Sequence, residues 1–215
     1  MRFISHLDTM RTFSRAFRRA RVPLSFSQGF NPHPKMSFAM PLAVGQTSSN
    51  DVLDIETEIP VDLHRIIGEI NGSLPPGFRV VSAREMQEGG QSAMSEVGAA
   101  AYSVVVPTTN DTVDAGEVAN GFLCARDVLV ERRREGKTPL TVDIRPLVLR
   151  LEGRRDRGVA AFDMVLRAGG SASARPDEVL RAIDSMGGCW LDLPGARYHR
   201  SGVFRFGGGR MEPIL

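Results

Sequence analysis

The sequence predicts an α+β fold built from two split βαβ units with antiparallel sheets. Three observations carry the prediction. Short apolar or alternating runs, bounded by Gly, Pro and Asn, recur along the chain and read as strands. Each half holds two stretches with apolar residues at helical spacing. Between the halves, residues 87–93 are rich in Gly, Gln and Ser and read as a linker.

The elements of the first half follow in order. Ser5 with Asp8 three positions later is a capping box with Asp in place of Glu, so a helix starts there. Met10, Phe13, Phe17 and Ala20 form its apolar stripe. Arg11, Arg15 and Arg18 fall on the opposite side, flanked by Arg19 and Asp8, while His6 falls on the apolar side. Pro23 disfavours a helical Val22, which ends the helix near Arg21. Residues 24–27 read as a short strand, and Gly29, Asn31, Pro32 and Pro34 impose a stiff loop. Residues 36–44 predict a strand and 45–50 a polar turn. Residues 52–59 predict a half-exposed strand with Asp54, Glu56 and Glu58 on its solvated face. A helix over 61–74 carries Leu63, Ile66, Ile67 and Ile70, Pro75-Pro76-Gly77 breaks it, and 78–83 predict a further strand.

The second half reads β-α-β-β-α-β. Strands are expected at 102–106, 128–134, 142–151, 160–166 and 198–206, with Pro146 hinting at an edge or bulge inside 142–151. Turns fall at 135–137 and around Gly153 to Gly158. A helix weakened by Gly116 and Gly121 covers 114–124, and one opened by Pro176, Asp177 and Glu178 runs to Met186. The first half reads α-β-β-β-α-β, or α-β-β-α-β if two of those strands are one bent element, and lacks an opening strand. The expected partition is 1–86 and 99–206 as two ferredoxin-like units, 87–98 as linker and 207–215 as a frayed tail. Helices on one face of each sheet leave the other open to a partner.

Charge is concentrated at one end. Residues 1–35 hold seven cations (Arg2, Arg11, Arg15, Arg18, Arg19, Arg21, Lys35) and one acid, Asp8, a net of +6. The whole chain is +2, so residues 36–215 sum to −4. Such asymmetry points to a localised anionic partner. No apolar run spans a bilayer, and the basic start lacks the apolar core of a signal peptide. Cys124 and Cys189 are isolated, which excludes a disulfide framework and a zinc knuckle and points to the cytoplasm. No metal site or membrane partner is expected.

Several motifs carry a resemblance: Arg2-Phe3-Ile4-Ser5-His6-Leu7-Asp8, Arg15-Ala16-Phe17-Arg18-Arg19-Ala20, residues 23–35 from Pro23 to Lys35, and Pro41-Leu42-Ala43-Val44-Gly45. Leu53-Asp54-Ile55, residues 71–77, Asp143-Ile144-Arg145-Pro146 and Arg175-Pro176-Asp177-Glu178 extend it thinly. Together they resemble a bacterial family of unknown function linked to radical-SAM proteins and often encoded beside, or fused after, a cobalamin-type member. Members of that family usually begin with a basic strand ahead of the Phe-x-Ser-His motif, so Met1 is expected to lie inside that strand. The resemblance implies a radical-SAM partner and an RNA-related role. The radical-SAM core is not in this sequence, so its cofactors are not expected on this chain.

Candidate residues follow from charge and loop chemistry. Arg11, Arg15, Arg18 and Arg19 read as a phosphate-binding face or as a solvated helix face. Phe30, Asn31, His33 and Lys35 lie on a proline-stiffened loop that reads as a substrate contact, with Phe30 able to stack on a base, or as a turn fixing entry to the next strand. His6, His33 and Lys35 together would suit metal-free RNA cleavage; His6 alone reads as a general acid/base or metal ligand, or as a helix-start histidine tucked against the core. Ser5 and Asp8 read as structural caps. His64 and His199 show no spacing signal, and Gly207-Gly208-Gly209-Arg210 lacks the context of a phosphate loop. The function expected is an RNA-binding accessory module for tRNA or rRNA modification, with structured RNA and a radical-SAM protein as partners and no DNA specificity. The alternatives are a metal-free endoribonuclease and a protein-binding adaptor.

Overall fold

The chain is α+β, and the computed structural model describes residues 2–87, 89–133, 136, 138–170, 172–207 and 210–214. Contacts divide it into two units. One takes residues 2–47, 51–96 and 214; the other takes 48–50 and 97–213.

In the first unit, helix α1 (His6–Arg19) lays Phe13 and Phe17 into the core. Its end is a Schellman arrangement: Val22 N–H donates to Phe17 O at 2.9 Å and Arg21 N–H to Arg18 O at 3.1 Å. Arg21 takes the left-handed position at φ 53° that Gly commonly fills. Strand β1 (Met36–Phe38) pairs antiparallel with β3 (Leu53–Ile55), in register Met36 to Ile55 and Phe38 to Leu53. A short strand, β2 (Gln46–Ser48), lies between them in sequence. Helix α2 (Leu63–Ser73) is capped by Asp62, whose carboxylate accepts from the N–H groups of His64 and Arg65, and it buries Ile70. Phe13 anchors the core, with ring centroids 5.7 Å from Phe38 and 5.6 Å from Phe78. Val22, Leu24 and Ile70 complete it.

All four strands expected here are shorter or absent; the one at 52–59 is reduced to Leu53–Ile55. Residues 24–27 make only single bridges, Leu24 to Thr57 and Phe26 to Pro34. The run at 36–44 stops at Phe38, because Ala39 onward turns toward Gly45, whose φ is 90°. Residues 78–83 form no strand. Instead the Asn71 amide donates to Val80 O at 2.9 Å and accepts from Val80 N–H at 2.8 Å, so one side chain supplies both bonds a neighbouring strand would make. The linker region also holds a short helix, α3 (Ala93–Glu96), with Ala93 buried and its N–H donating to Asp54 Oδ2 at 2.7 Å. Asp54 is therefore a backbone acceptor rather than part of a purely solvated face.

The second unit is built on a sheet of β4 (Ala99–Pro107), β7 (Val148–Asp156), β8 (Val159–Arg167), β9 (Arg197–Gly207) and β10 (Arg210–Pro213). Its order is β10-β9-β4-β8-β7 and every neighbour is antiparallel. Helix α4 (Ala115–Cys124) follows β4, and α5 (Pro176–Met186) follows β8. Phe122, Phe162, Met164, Leu180, Ile183 and Trp190 are fully buried in this unit, with the Phe162 and Trp190 rings edge to face at 6.3 Å.

The expected strand at 142–151 is two elements. A hairpin of β5 (Leu129–Arg132) and β6 (Leu140–Asp143) ends first; the turn Arg145–Leu147 follows, then β7. The break has a cause. Asp143 Oδ1 accepts from Val128 and Arg145 N–H, Arg145 Nε and Nη2 donate to Leu123 O at the end of α4, and Pro146 has no N–H to continue a ladder. The next reversal is tighter than expected. Both strands run to a turn at Arg157 and Gly158, with φ of 44° and 77°, the signs a two-residue hairpin needs. The expected frayed tail is corrected too: β10 pairs back on β9, Arg210 opposite Gly207. Arg134 of the expected strand at 128–134, Glu135 and Lys137 of the expected turn, and Gly208 and Gly209 of the expected tail fall outside the described residues.

Candidate nucleic-acid interface

Helix α1 separates its residues by period. Phe13, Ala16, Phe17 and Ala20 are buried, while Arg11, Arg15, Arg18 and Arg19 are exposed. Ser5 Oγ accepts from Asp8 N–H at 3.1 Å, which satisfies one open donor of the first turn. The Ser5 hydroxyl in turn donates to Asp8 Oδ2 at 2.7 Å. That bond holds the Asp8 carboxyl below its usual range, against a smaller burial effect, with Arg11 and Arg15 adding to the lowering. Arg11 Nη1 lies 3.2 Å from Asp8 Oδ1. Asp8 thus offsets one cation near the helix start. Arg18 and Arg19 sit in the last turn, where the helix dipole favours positive charge.

The loop from Ser27 to His33 is pinned at its base. Ser27 N–H donates to His33 O at 2.8 Å, and His33 N–H donates to Ser27 Oγ at 3.0 Å. Below that clamp, Phe26 bridges Pro34 and Lys35 N–H donates to Ser25 O at 2.8 Å. Gly29 has φ 127°, a conformation that a side chain would strain. Gln28, Gly29, Phe30, Asn31, Pro32 and His33 are all exposed. Sequence reading missed the clamping role of Ser27; a Ser beside a Gly-Pro loop, able to bond local backbone, was the available signal.

The three residues weighed for cleavage meet different partners. His6 packs edge to face on Phe38, ring centroids 5.8 Å apart. Lys35 Nζ reaches Glu56 Oε1 at 2.8 Å. Lys35 and Phe38 are three positions apart on an extended run, and an odd offset puts side chains on opposite faces of a strand. His6 and Lys35 are thereby directed to opposite sides of β1. Elsewhere, the His199 ring nitrogen Nε2 lies 3.1 Å from Ser49 Oγ, and His64 is exposed at the start of α2. Among the described residues no group of three His, Cys, Asp or Glu could hold a metal ion, and no helix is long and apolar enough to cross a membrane.

A second kind of surface went unread in the sequence. Phe3, Leu7 and Val44 are exposed apolar residues. Gly45 N–H donates to Arg2 O and Arg2 Nε to Gly45 O, both at 2.9 Å, which ties the segment holding Phe3 to the segment holding Val44.

No curated protein matches the chain. A family model does, over residues 1–176. That span includes α1, the pinned loop and the turn at Arg145. The chain belongs to the family described as "Uncharacterized protein conserved in bacteria (DUF2344)".

Proposed function

We propose that this protein is an RNA-binding accessory module that works beside a radical-SAM protein in tRNA or rRNA modification. The observation that carries the reading is the face of α1. Four exposed arginines lie along fourteen residues, and the one acid among them is bonded to Ser5. Clustered cations of this kind hold phosphates through counterion release, which makes binding salt-dependent. The loop from Phe30 to Lys35 would contact the substrate. The radical-SAM partner and the RNA role rest on the motif resemblance.

The same reading takes each unit as ferredoxin-like, with 1–86 and 99–206 as its parts and 87–98 as linker. For the second unit the support is the strand order β9-β4-β8-β7 with α4 and α5 as crossovers and the β5–β6 hairpin as an insertion. For the first unit the support is thinner, since β1 and β3 form a sheet of two strands.

Filter retention or gel shift with structured RNA tests the function. Affinity should fall steeply with salt, and Arg11→Glu, Arg15→Glu and Arg18→Glu together should weaken binding at least tenfold. Affinity indifferent to salt and to the reversal would overturn the reading. A second reading, a protein-binding adaptor, is favoured by exposed Phe3, Leu7 and Val44 next to Arg2. Co-purification with the radical-SAM protein that survives nuclease but not high salt would favour it.

A further inference from the structure

Phe30 has a relative exposure of 106 %, so no part of its ring rests on the protein. A phenylalanine left wholly in water adds nothing to folding through burial. Yet the backbone beneath it is closed by the Ser27–His33 pair of hydrogen bonds and the Phe26–Pro34 bridge, and Pro32 and Pro34 narrow its freedom. The ring is therefore presented from a constrained turn with both faces free.

We infer that the tip of this loop is a stacking site for an unpaired nucleobase, and hence that the RNA recognised carries a single-stranded loop, bulge or end. The inference rests on the RNA-binding reading above and narrows its substrate. Two features separate it from other partners. Along the loop Phe30 is flanked by Gln28, Asn31 and His33, all exposed and polar, with Gly29 and Pro32 among them. Side-chain amides and imidazole offer both donors and acceptors, which suit the edges of a base. A protein-binding hot spot would instead set the ring among further apolar side chains that exclude water. Within a duplex, base faces are covered by their neighbours, and a ring reaches one only after unstacking. An unpaired base is open to stacking, at about tenfold in affinity per base.

Fluorescence anisotropy with two labelled RNAs of equal phosphate count, a hairpin with an unpaired loop and a blunt duplex, tests this. The hairpin should bind at least tenfold more tightly than the duplex. Phe30→Ala should abolish that ratio and leave duplex affinity unchanged; Phe30→Trp should keep it. The chain has one tryptophan, Trp190, and it is fully buried, so the emission that Phe30→Trp adds over the unaltered protein, red-shifted by exposure to water, reports the loop and should be quenched by the hairpin. A ratio unchanged by Phe30→Ala, equal loss on both RNAs, or quenching by polyglutamate as strong as by RNA would overturn the inference. If the ratio survives Phe30→Ala while reversal of Arg11, Arg15 and Arg18 still weakens binding at least tenfold, the stacking site falls and RNA binding stands. Failure of the unaltered protein to bind either RNA would remove both.

Discussion

Lys35 stands directly across from Glu56. The register that sets Met36 opposite Ile55 continues by one residue, Glu56 N–H donates to Lys35 O at 3.0 Å, and the two side chains meet at 2.8 Å. The single lysine of the basic segment is thus held by a carboxylate, although both groups remain substantially exposed.

Glu56→Gln should raise RNA affinity. An exposed pair is worth about 0–1 kcal/mol, so thermal stability should barely change. The released ammonium adds one cation for phosphate, and the slope of log affinity against log salt should steepen by about 0.9. Titrations at several salt concentrations check it; an unchanged slope would mean that Lys35 lies outside the bound surface.

Glu178→Ala should be among the most destabilising polar substitutions. Glu178 is 5 % exposed and receives both Arg132 Nε and Nη2 at 2.7 Å, while its Oε2 also accepts from Arg175 N–H at 3.1 Å. Its removal strands a guanidinium whose other hydrogen bond, among the described residues, is to Ser173 O, and breaking such a buried pair costs roughly 3–5 kcal/mol. Urea unfolding followed by circular dichroism measures the loss.

Two glycine-to-alanine changes should move stability in opposite directions. A Cβ on Gly153 would lie 2.2 Å from Ala115 O, on the backbone of α4, so β7 or the helix must shift at a cost of about 3 kcal/mol. Gly68 lies within α2 with open space where a Cβ would go, and Ala there should gain about 1 kcal/mol from helix propensity. Thermal melts of the two variants compare them directly.

Tyr198 links stability to alkaline pH. Burial, helped by Asp177, pushes its phenol up to about 12 from the usual 10.0. A raised folded-state value means that the native form keeps its proton longer. The contribution is therefore complete below pH 10.0 and is lost as pH rises toward 12. Tyr198→Phe should flatten the stability profile across that window, read by urea midpoints at several pH values.

The elements that were legible in the sequence were those specified locally. Helices α1, α2 and α5 announce themselves through apolar period, and α1 and α5 also through Ser5 and Pro176 at their starts, whereas the Asp62 cap of α2 emerges only in the structure. The residues that sequence reading misplaced depend on partners far along the chain. Residues 78–83 have strand composition, but the Asn71 amide takes the place of a strand. Residues 142–151 look continuous until Arg145 reaches Leu123, twenty-two positions away. At the candidate interface the exposed arginines follow from helical period, whereas the Lys35–Glu56 pair needs the β1–β3 register, which a three-residue strand barely encodes.

The carbonyl of Ile214 accepts from Arg84 at 2.7 Å, and Ile214 is buried within the first unit. A chain emerging from the ribosome would ordinarily let its leading domain mature before the next is made. Here residue 214 is translated only after residues 97–213, so the first unit cannot close its Arg84 contact until its successor has been synthesised.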